Sequence, residues 1–320
     1  MSAHKVIYDT DPGVDDAMAL VFQALHPDID LLGVTSVFGN ATIDTTTRNA
    51  LYLTARFAPG VPVARGAATA LQKPAPEPLG WIHGDNGLGN IELGTYAEPT
   101  LDPRPAHRFI IDTVRAHPRE VTLLAVGPLT NLALALADDP QIAKLVKRVV
   151  IMGGAFGTDG ILGNVTPAAE ANIYGDPHAA DQVLGAAWPV AIVGLDVTQK
   201  TIMSRDYVAS LRDRGGEAGR FLWDVSRHYE QFHLKTARIE GLYTHDPSAV
   251  AYVVAPHLYT TRKGPVRVVT EGIAMGQTIQ KPLSLGVPAP DWDTRPACTV
   301  CVGVDEEGML ALYERTVCGV

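Results

Sequence analysis

The sequence predicts an α/β fold, an open and mostly parallel twisted sheet flanked by helices. Short runs of β-branched residues alternate with longer stretches whose apolar residues recur at helical spacing, which is the rhythm of consecutive βαβ units. Polar and glycine residues follow several of the predicted strands, and no internal repeat or linker divides the chain. We therefore expect one domain over residues 1–320, with its ligand site at the carboxyl ends of the strands.

The strands are predicted where β-branched and other apolar residues form short runs bounded by polar, Gly or Pro residues. In chain order, the predicted strands span residues 6–8, 31–37, 61–64, 121–126, 148–152 and 190–195. The helices are predicted where apolar residues recur three and four apart, as Ala17, Leu20, Val21 and Ala24 do. In chain order, the predicted helices span residues 15–26, 42–57, 105–116, 130–137 and 177–187.

Three later segments depart from this rhythm. Residues 66–104 are rich in Pro and Gly and hold few periodic stretches, whereas residues 205–245 are helical and polar with interspersed aromatic and His residues. Both could lie over the mouth of the site. The tail predicts antiparallel strands over 266–269 and 298–304, separated by Pro-rich turns.

The bulk composition limits the class of protein. The chain has 320 residues, of which 46% are hydrophobic and 19% charged, and a formal net charge of −9, which argues against nucleic acid as a partner. We expect no membrane span and no signal peptide, because no run of about 18 apolar residues occurs and the N-terminus leads straight into a strand. Three cysteines, an odd number, indicate a reducing compartment, so we expect a cytoplasmic protein.

Four aspartates within eight residues form the most informative motif. Asp9, Asp11, Asp15 and Asp16 lie where the first strand ends and the first helix begins. Helix capping explains one or two carboxylates at such a place, but it does not explain four. Like charges this close raise one another's pKa unless a cation holds them together, and a hard cation with oxygen ligands does so most simply. The motif therefore predicts a metal site.

Two known motifs with similar residues fit less well. An EF-hand loop needs Gly at its sixth position and Glu at its twelfth, where this chain has Val14 and Leu20. A phosphatase of the haloacid-dehalogenase type opens with Asp-x-Asp but continues with Gly-Thr, whereas Pro-Gly follows here. A metal-dependent phosphatase that uses Asp9 and Asp11 is therefore the second enzymatic alternative.

Two further segments offer ligands and proton donors. His245 beside Asp246 could supply one proton donor and one metal ligand, although an Asp before a proline also suits a helix N-cap. Glu170 and Asn172 alternate with apolar residues, which predicts an extended segment that points both side chains to the same side, toward a polyol. Asp176, which also precedes a proline, is interpreted as a helix cap alone.

Six short segments in chain order carry a resemblance. They are Asp-Thr-Asp-Pro-Gly-Val-Asp-Asp-Ala at 9–17, His-Gly-Asp-Asn-Gly-Leu-Gly at 83–89, Gly-Pro-Leu-Thr-Asn at 127–131, Met-Gly-Gly at 152–154, Glu-Ala-Asn at 170–172 and His-Asp at 245–246. In this order they resemble the inosine–uridine-preferring nucleoside hydrolase family. The first segment is similar to the family signature, and the last part of the chain adds little.

The resemblance implies a nucleoside hydrolase-like fold with a tightly bound Ca²⁺ at the strand ends. The reaction would be hydrolysis of the N-glycosidic bond of ribonucleosides, which releases ribose and the free base. Asp11, Asp16 and Asp246 would be carboxylate ligands, and the main-chain carbonyl of Val126 would be another. Water and two ribose hydroxyls would complete the six to eight oxygens that Ca²⁺ takes. A water bound to the cation would be the nucleophile, with Asp11 as its general base and His245 as proton donor to the leaving base.

The resemblance also implies how the ribose would be bound. Asp15 and Asn172 would grip the diol, Asn164 and Glu170 would bind the 5′ end, and Asn40 would support the sugar side. A site that binds the diol this tightly should reject 2′-deoxynucleosides, because a buried polar partner would be left unpaired.

The residues of the base pocket are predicted from weaker sequence patterns. His83 comes from the glycine-rich segment, and Tyr229 and His233 lie one helical turn apart, so they share a face. They either contact the nucleobase or form a surface aromatic–His pair, and the sequence leaves both open. Further candidates for the substrate pocket are Met152, Trp81 and Arg238.

One interpretation from another class stays open beside the two enzymes. A nucleoside- or ribose-binding protein without turnover would need the same residues, but the paired Asp11 and His245 argue for catalysis. Cys298 and Cys301 are three apart in a predicted strand, so they should face opposite sides of it rather than form a metal or redox site. The resemblance implies a homodimer or homotetramer.

Overall fold

The computed structural model describes residues 3–96 and 99–319. Its strands are β1 (His4–Thr10), β2 (Ile29–Ser36), β3 (Val63–Arg65), β4 (Leu101–Asp102), β5 (Val121–Ala125), β6 (Arg148–Met152), β7 (Val190–Val193), β8 (Ile202–Ser204), β9 (Gly241–Tyr243), β10 (Tyr259–Gly264), β11 (Val266–Val268), β12 (Thr278–Gln280) and β13 (Cys298–Val304).

Helices cover both faces of the sheet and fill the long connections. They are α1 (Val14–Leu25), α2 (Ile43–Phe57), α3 (Gly80–His83), α4 (Ala106–Ala116), α5 (Thr130–Asp138), α6 (Ala171–Gly175), α7 (Pro177–Gly185), α8 (Leu195–Thr198), α9 (Arg205–Arg214), α10 (Gly216–Thr236), α11 (His245–Val254), α12 (Pro290–Asp293) and α13 (Glu306–Cys318). Short 3₁₀ turns lie at Pro140–Lys144, Thr158–Gly160 and Pro256–Leu258.

Nine strands form the central sheet, in the order β10-β13-β7-β6-β5-β1-β2-β3-β4. Neighbouring strands run parallel throughout, except that β10 and β13 are antiparallel. From β1 the chain winds outward through β2, β3 and β4 on one side, and through β5, β6 and β7 on the other. The order reverses between β1 and β5, which opens a crevice at their carboxyl ends where ligands bind in such sheets. The predicted fold class is confirmed.

The strands are apolar because helices bury both of their faces. Val6 and Tyr8 of β1 pack in one hydrophobic cluster with α1, α2, α10 and α13, whereas Ile7 packs in the other with α4, α5 and α7. Cys298 and Cys301 likewise lie in opposite clusters, as their spacing predicts. No helix among the residues described is long and apolar enough to cross a membrane.

The tail differs from its prediction. Residues 298–304 form a strand, but β13 joins the central sheet between β7 and β10, and β11 pairs with β12 in a separate two-stranded sheet. The strand β10 and the final helix α13 escaped prediction. That helix is capped by Asp305, whose carboxylate accepts a hydrogen bond from the Gly308 N–H at 3.0 Å.

Candidate active site

A cavity of about 570 Å³ opens at the carboxyl ends of β1, β5 and β6. Two groups of side chains lie at it. The first, which we call the acidic cluster, consists of Asp11, Asp15, Asp16 and Asp246; Asp15 and Asp246 line the cavity, whereas Asp11 and Asp16 are buried and are not in its lining. The second, which we call the aromatic–histidine wall, consists of His83, Tyr229, Phe232, His233, Tyr243 and His245.

The turn between β1 and α1 builds most of the acidic cluster. Asp16, the third residue of α1, accepts hydrogen bonds from the Gly13 N–H at 2.9 Å and from the Thr10 hydroxyl at 2.5 Å, so it caps the helix that carries it. A Cβ on Gly13 would lie 2.7 Å from Nδ1 of His83. Glycine is therefore required where the acidic turn meets the wall. The N-cap of α1 is Gly13, so Asp11 does not cap this helix.

Asp11 and Asp15 each present a free carboxylate oxygen. Asp11 Oδ2 accepts a hydrogen bond from the Asn40 N–H at 2.7 Å, and Asp15 Oδ2 accepts one from the Tyr229 hydroxyl at 3.4 Å. Oδ1 of both aspartates is buried and has no hydrogen-bond partner among the described residues. Oxygens of Asp15, Asp16 and Asp246 lie within 4.8 Å of one another. Such an all-oxygen set with unsatisfied acceptors fits a hard divalent cation.

Burial and mutual repulsion perturb these carboxyl groups. Burial, reinforced by Asp16, raises the pKa of Asp15 to about 8, and the same two causes raise the pKa of Asp11 and Asp246 well above the ordinary range. A bound cation would favour the ionised form of every member. The acidic cluster therefore needs a cation to hold all four charges at neutral pH.

Asp9 belongs to the scaffold rather than to the cavity. Its Oδ1 accepts hydrogen bonds from the Thr35 hydroxyl at 2.5 Å and from Nδ2 of Asn131 at 2.8 Å. Asn131 also binds the carbonyl of Ser36 and the N–H of Ala67, so this pair ties three loops together at the strand ends. A phosphatase based on Asp9 and Asp11 would need both carboxylates in the cavity, but neither residue is in its lining and Oδ1 of Asp9 is engaged by Thr35 and Asn131.

The segment around Asn172 is helical, so the prediction of an extended segment is wrong. Glu170 is the N-cap of α6, and its carboxylate accepts hydrogen bonds from three backbone amides, including those of Asn172 and Gly154, both at 2.9 Å. These amides favour a helix start over an extended chain. Nδ2 of Asn172 donates to the carbonyls of Val126 at 2.8 Å and Met152 at 3.1 Å. Asp176 caps α7, as predicted.

The remaining predicted ribose contacts line the same cavity. Asn40 donates through Nδ2 to Asp16 Oδ2 at 3.0 Å, which connects the loop after β2 to the acidic cluster. Asn164 is exposed, and its Oδ1 accepts a hydrogen bond from the N–H of Ala171 at 3.0 Å, at the first turn of α6. The structure therefore brings together side chains that the sequence separates by more than two hundred residues.

The aromatic–histidine wall is a set of packed rings. His83 stacks on Tyr229 with ring centroids 5.3 Å apart, and His233 meets the edge of Tyr229 at 4.3 Å. Tyr229 and His233 are 3% and 2% exposed and line the cavity, so the interpretation as a surface pair is wrong. Trp81 contacts Phe232 at 5.3 Å and is 64% exposed at the cavity mouth. These rings present flat apolar faces of the kind that stack on aromatic ligands.

The three histidines of the wall are neutral at pH 7. Burial lowers the pKa of His83 and His245 to about 3 and that of His233 to about 4. Nδ1 of His245 lies 2.8 Å from the Thr198 hydroxyl. Each ring can therefore be a hydrogen-bond donor on one nitrogen and an acceptor on the other.

Several lining residues escaped prediction, and one candidate lies outside. Phe232 sits three residues after Tyr229 on the same helix face, a spacing that could have revealed it. Tyr243 immediately precedes the Thr-His-Asp segment but carries no motif of its own. Thr198 is not in the lining but contacts Nδ1 of His245; it lies 47 residues from His245 in the chain and has no sequence signal at all. Arg238 is exposed and absent from the cavity lining.

The fold and the site together define a class. An open parallel sheet whose strand ends hold buried carboxylates beside an aromatic pocket can bind a hard divalent cation and an aromatic ligand side by side. The comparisons are more specific, because the family profile "Inosine-uridine preferring nucleoside hydrolase" matches residues 6–311. The chain belongs to this family and is a ribonucleoside N-glycosidase.

Individual relatives agree over nearly the full length. The chain is 41% identical over 309 residues to "Uridine nucleosidase 1" of Arabidopsis thaliana, with 96% of this chain and 90% of that protein covered. Among solved structures, "Plant nucleoside hydrolase - PpNRh1 enzyme" superposes with a TM-score of 0.92 at 36% identity, covering 99% of both chains. The "Purine-Preferring Ribonucleoside Hydrolase from Gardnerella vaginalis" gives 0.89 at 35% identity, covering 98% of both chains. The relatives' names thus include both pyrimidine and purine bases.

Proposed function

We propose that this enzyme hydrolyses the N-glycosidic bond of ribonucleosides with Ca²⁺ in the acidic cluster. The observation that carries the proposal is the pair of buried, unpartnered carboxylate oxygens of Asp11 and Asp15 beside Asp16 and Asp246. A ligand set of oxygen atoms alone suits Ca²⁺ better than the softer transition metals. When bound, the cation would supply Lewis acidity to an attacking water and neutralise the carboxylates.

Asp11 is the general base of the proposal. The backbone N–H of Asn40 holds Oδ2 at 2.7 Å, so Oδ1 is left to accept a proton from the water that attacks C1′. Val126, whose carbonyl accepts from Asn172, is the proposed main-chain ligand beside Asp16 and Asp246. Positive charge that develops on the ribose would be stabilised by this negative surrounding, as in other glycosidic cleavages.

The sugar is bound by the residues at the strand ends. Asp15 and Asn172 would hydrogen-bond the ribose diol, because both line the cavity. Asn164 and Glu170 line the cavity on the α6 side and are assigned to the 5′ end. Asn40 supports this arrangement from the loop after β2.

The base lies against the aromatic–histidine wall in this proposal. His83, Tyr229 and His233 would contact its face and edge, and Met152 would line the opposite side. His245 would be the hydrogen donor to the departing base. The cytoplasmic location and the homodimeric or homotetrameric state stay predictions from the sequence.

The test is Asp11→Asn, which keeps the size of the side chain and removes its basicity. We expect kcat/KM for inosine and uridine to fall by about 10²–10⁴-fold, the range that a general base contributes. The matched control is Asp44→Asn, a surface carboxylate paired with Arg65, which should leave activity unchanged.

Product analysis accompanies both variants. Free base and ribose in equal amounts are expected from the parent enzyme, whereas phosphate released from a nucleotide would support the phosphatase, and no product would support a binding protein. Asp11→Asn with activity close to that of the parent would overturn the assignment of the general base.

A further inference from the structure

The hydrogen bond between His245 and Thr198 determines which nitrogen of the His245 ring carries a hydrogen. Nδ1 of His245 lies 2.8 Å from the hydroxyl oxygen of Thr198, the last residue of the short helix α8. Both side chains are buried, with Thr198 fully inaccessible to solvent. The ring of His245 lines the cavity, and its Nε2 makes no hydrogen bond to any described residue. One ring nitrogen is therefore held from behind, and the other is available to a ligand.

The direction of this bond follows from the hydroxyl hydrogen. Within residues 3–96 and 99–319, Nδ1 of His245 is the only acceptor within hydrogen-bond distance of the Thr198 hydroxyl. Because no water reaches this buried group, the hydroxyl must donate to Nδ1 or leave its hydrogen unpaired. Nδ1 then carries the lone pair, and the neutral ring carries its hydrogen on Nε2, the nitrogen that is free to meet a ligand.

A neighbouring ring shows that the wall does not impose one tautomer everywhere. Nδ1 of His233 lies 2.9 Å from the main-chain carbonyl of Tyr229, which can only accept, so this ring has its hydrogen on Nδ1. Nε2 of His233 is therefore an acceptor. The two histidines, whose ring centroids are 6.5 Å apart, present opposite hydrogen-bonding groups to the cavity. The identity of the atom behind each ring decides which one can donate.

We propose that Thr198 is a positioning residue that fixes the His245 tautomer with its hydrogen on Nε2, directed at the departing nucleobase. The inference rests on the proposed donor role of His245. In the step, the C1′–N bond breaks and its electron pair goes to the base, which leaves as an anion that accepts a hydrogen bond from the Nε2–H of the neutral His245 ring. The ring keeps its hydrogen, the base takes a proton from solvent after it leaves, and the proton that Asp11 takes from the attacking water returns to solvent.

The kinetic test uses Thr198→Val, which keeps the shape and removes the hydroxyl, and Thr198→Ser, which keeps the hydroxyl. For uridine and inosine we expect kcat to fall by about 10- to 100-fold in Thr198→Val, because the Nε2–H is no longer held toward the departing base, with KM nearly unchanged. Hydrolysis of 4-nitrophenyl β-ribofuranoside should change by less than about twofold, because its phenolate is a good leaving group that does not need this hydrogen bond. Thr198→Ser should retain the activity of the parent on both substrates.

Thr201→Val is the matched control. Thr201 is buried and lies three residues after Thr198 in the chain, and its hydroxyl has no hydrogen-bond partner among the described residues. Removal of this hydroxyl should therefore leave the hydrolysis of both the nucleosides and the nitrophenyl riboside unchanged. An equal loss on the nucleosides and on the nitrophenyl riboside in Thr198→Val would show a structural effect and overturn the inference. Undiminished activity of Thr198→Val on nucleosides would overturn it as well.

A spectroscopic measurement on the parent enzyme does not depend on any variant of Thr198. Long-range ¹H–¹⁵N spectra of the histidine-labelled enzyme at neutral pH, assigned with His245→Gln, should show Nδ1 of His245 as the unprotonated nitrogen and Nε2 as the protonated one. The reverse pattern would overturn the inference even if His245→Gln is inactive. Full activity of His245→Gln on nucleosides would instead overturn the proposed function of His245, so the two failures are distinguishable.

Discussion

The acidic cluster and the aromatic–histidine wall face each other across one cavity, but they are built differently. The cluster is fixed by backbone amides and capping bonds at the strand ends, such as those to Asp16 and Asp11. The wall is made of side chains from α3, α10 and the β9–α11 connection, held together by ring contacts. If the cluster binds the sugar and the wall binds the base, as proposed, then the sugar is held by a rigid frame, whereas the base contacts a surface that substitutions can reshape.

The two regions also differ in their electrostatics. Burial raises the pKa of the carboxyl groups in the cluster and lowers the pKa of the imidazoles in the wall. In the metal-free protein both effects disfavour charge in the same cavity. They meet at Asp15, whose Oδ2 accepts from the Tyr229 hydroxyl at 3.4 Å and whose Oδ1 lies 3.9 Å from Nδ1 of His83.

The largest difference between the two regions should appear in kcat/KM when the 2′-hydroxyl is removed from the ribose of the substrate. If the cluster binds the ribose diol through Asp15 and Asn172, then 2′-deoxyuridine and 2′-deoxyinosine should each lose about 1–3 kcal/mol, or about 5- to 150-fold in kcat/KM. The loss should be alike for the two bases, because the wall does not contact the 2′ position. The measurement is kcat/KM for each ribo and deoxy pair; a loss confined to one base would contradict the division of the site into two regions.

A smaller effect concerns the pH dependence of the free energy of unfolding. The buried carboxyl groups of Asp15 in the cluster and Asp9 in the scaffold should change it in one direction, and the histidines of the wall in the other. Asp9 and Asp15 have pKa values raised to about 7 and about 8, so in the metal-free enzyme they favour the folded state at lower pH. That contribution is lost as the pH rises through these values. His83, His233 and His245 have lowered pKa values, so they destabilise the folded state as the pH falls below about 6.5, where the unfolded state binds their protons.

Above pH 7 the histidines are neutral in the folded state and mostly neutral in the unfolded state, so the carboxyl groups dominate. In the presence of a chelator, we expect the free energy of unfolding to be about 1–2 kcal/mol lower at pH 8.5 than at pH 7, from Asp9 and Asp15 alone. Urea unfolding measures this difference, and Asp15→Asn should reduce it. Saturating Ca²⁺ should remove the part that comes from Asp15, because the cation favours its ionised carboxylate, and should leave the smaller part from Asp9, which lies outside the acidic cluster. Equal stability at both pH values in chelator would contradict the account.

Most of the fold and the acidic cluster could be predicted because their signals are local. The four aspartates lie in one turn, and the βαβ rhythm places that turn at a sheet edge. The wall was harder to predict, because its rings come from distant helices and only Tyr229 and His233 share a visible spacing. Glu170 shows a further limit: apolar alternation predicts an extended chain, yet three amides around its carboxylate start a helix. Thr198 acts only through a tertiary contact that no pattern reveals.

Calorimetric titration of CaCl₂ into chelator-stripped enzyme tests the central claim most directly, because it measures the cation site without turnover. We predict one Ca²⁺ per chain in the parent enzyme, strongly weakened in Asp246→Asn and unchanged in Asp44→Asn. Asp246 is decisive because it alone brings the cluster a carboxylate from α11. Absence of binding in the parent, or equal binding in Asp246→Asn, would contradict a cation held by the acidic cluster.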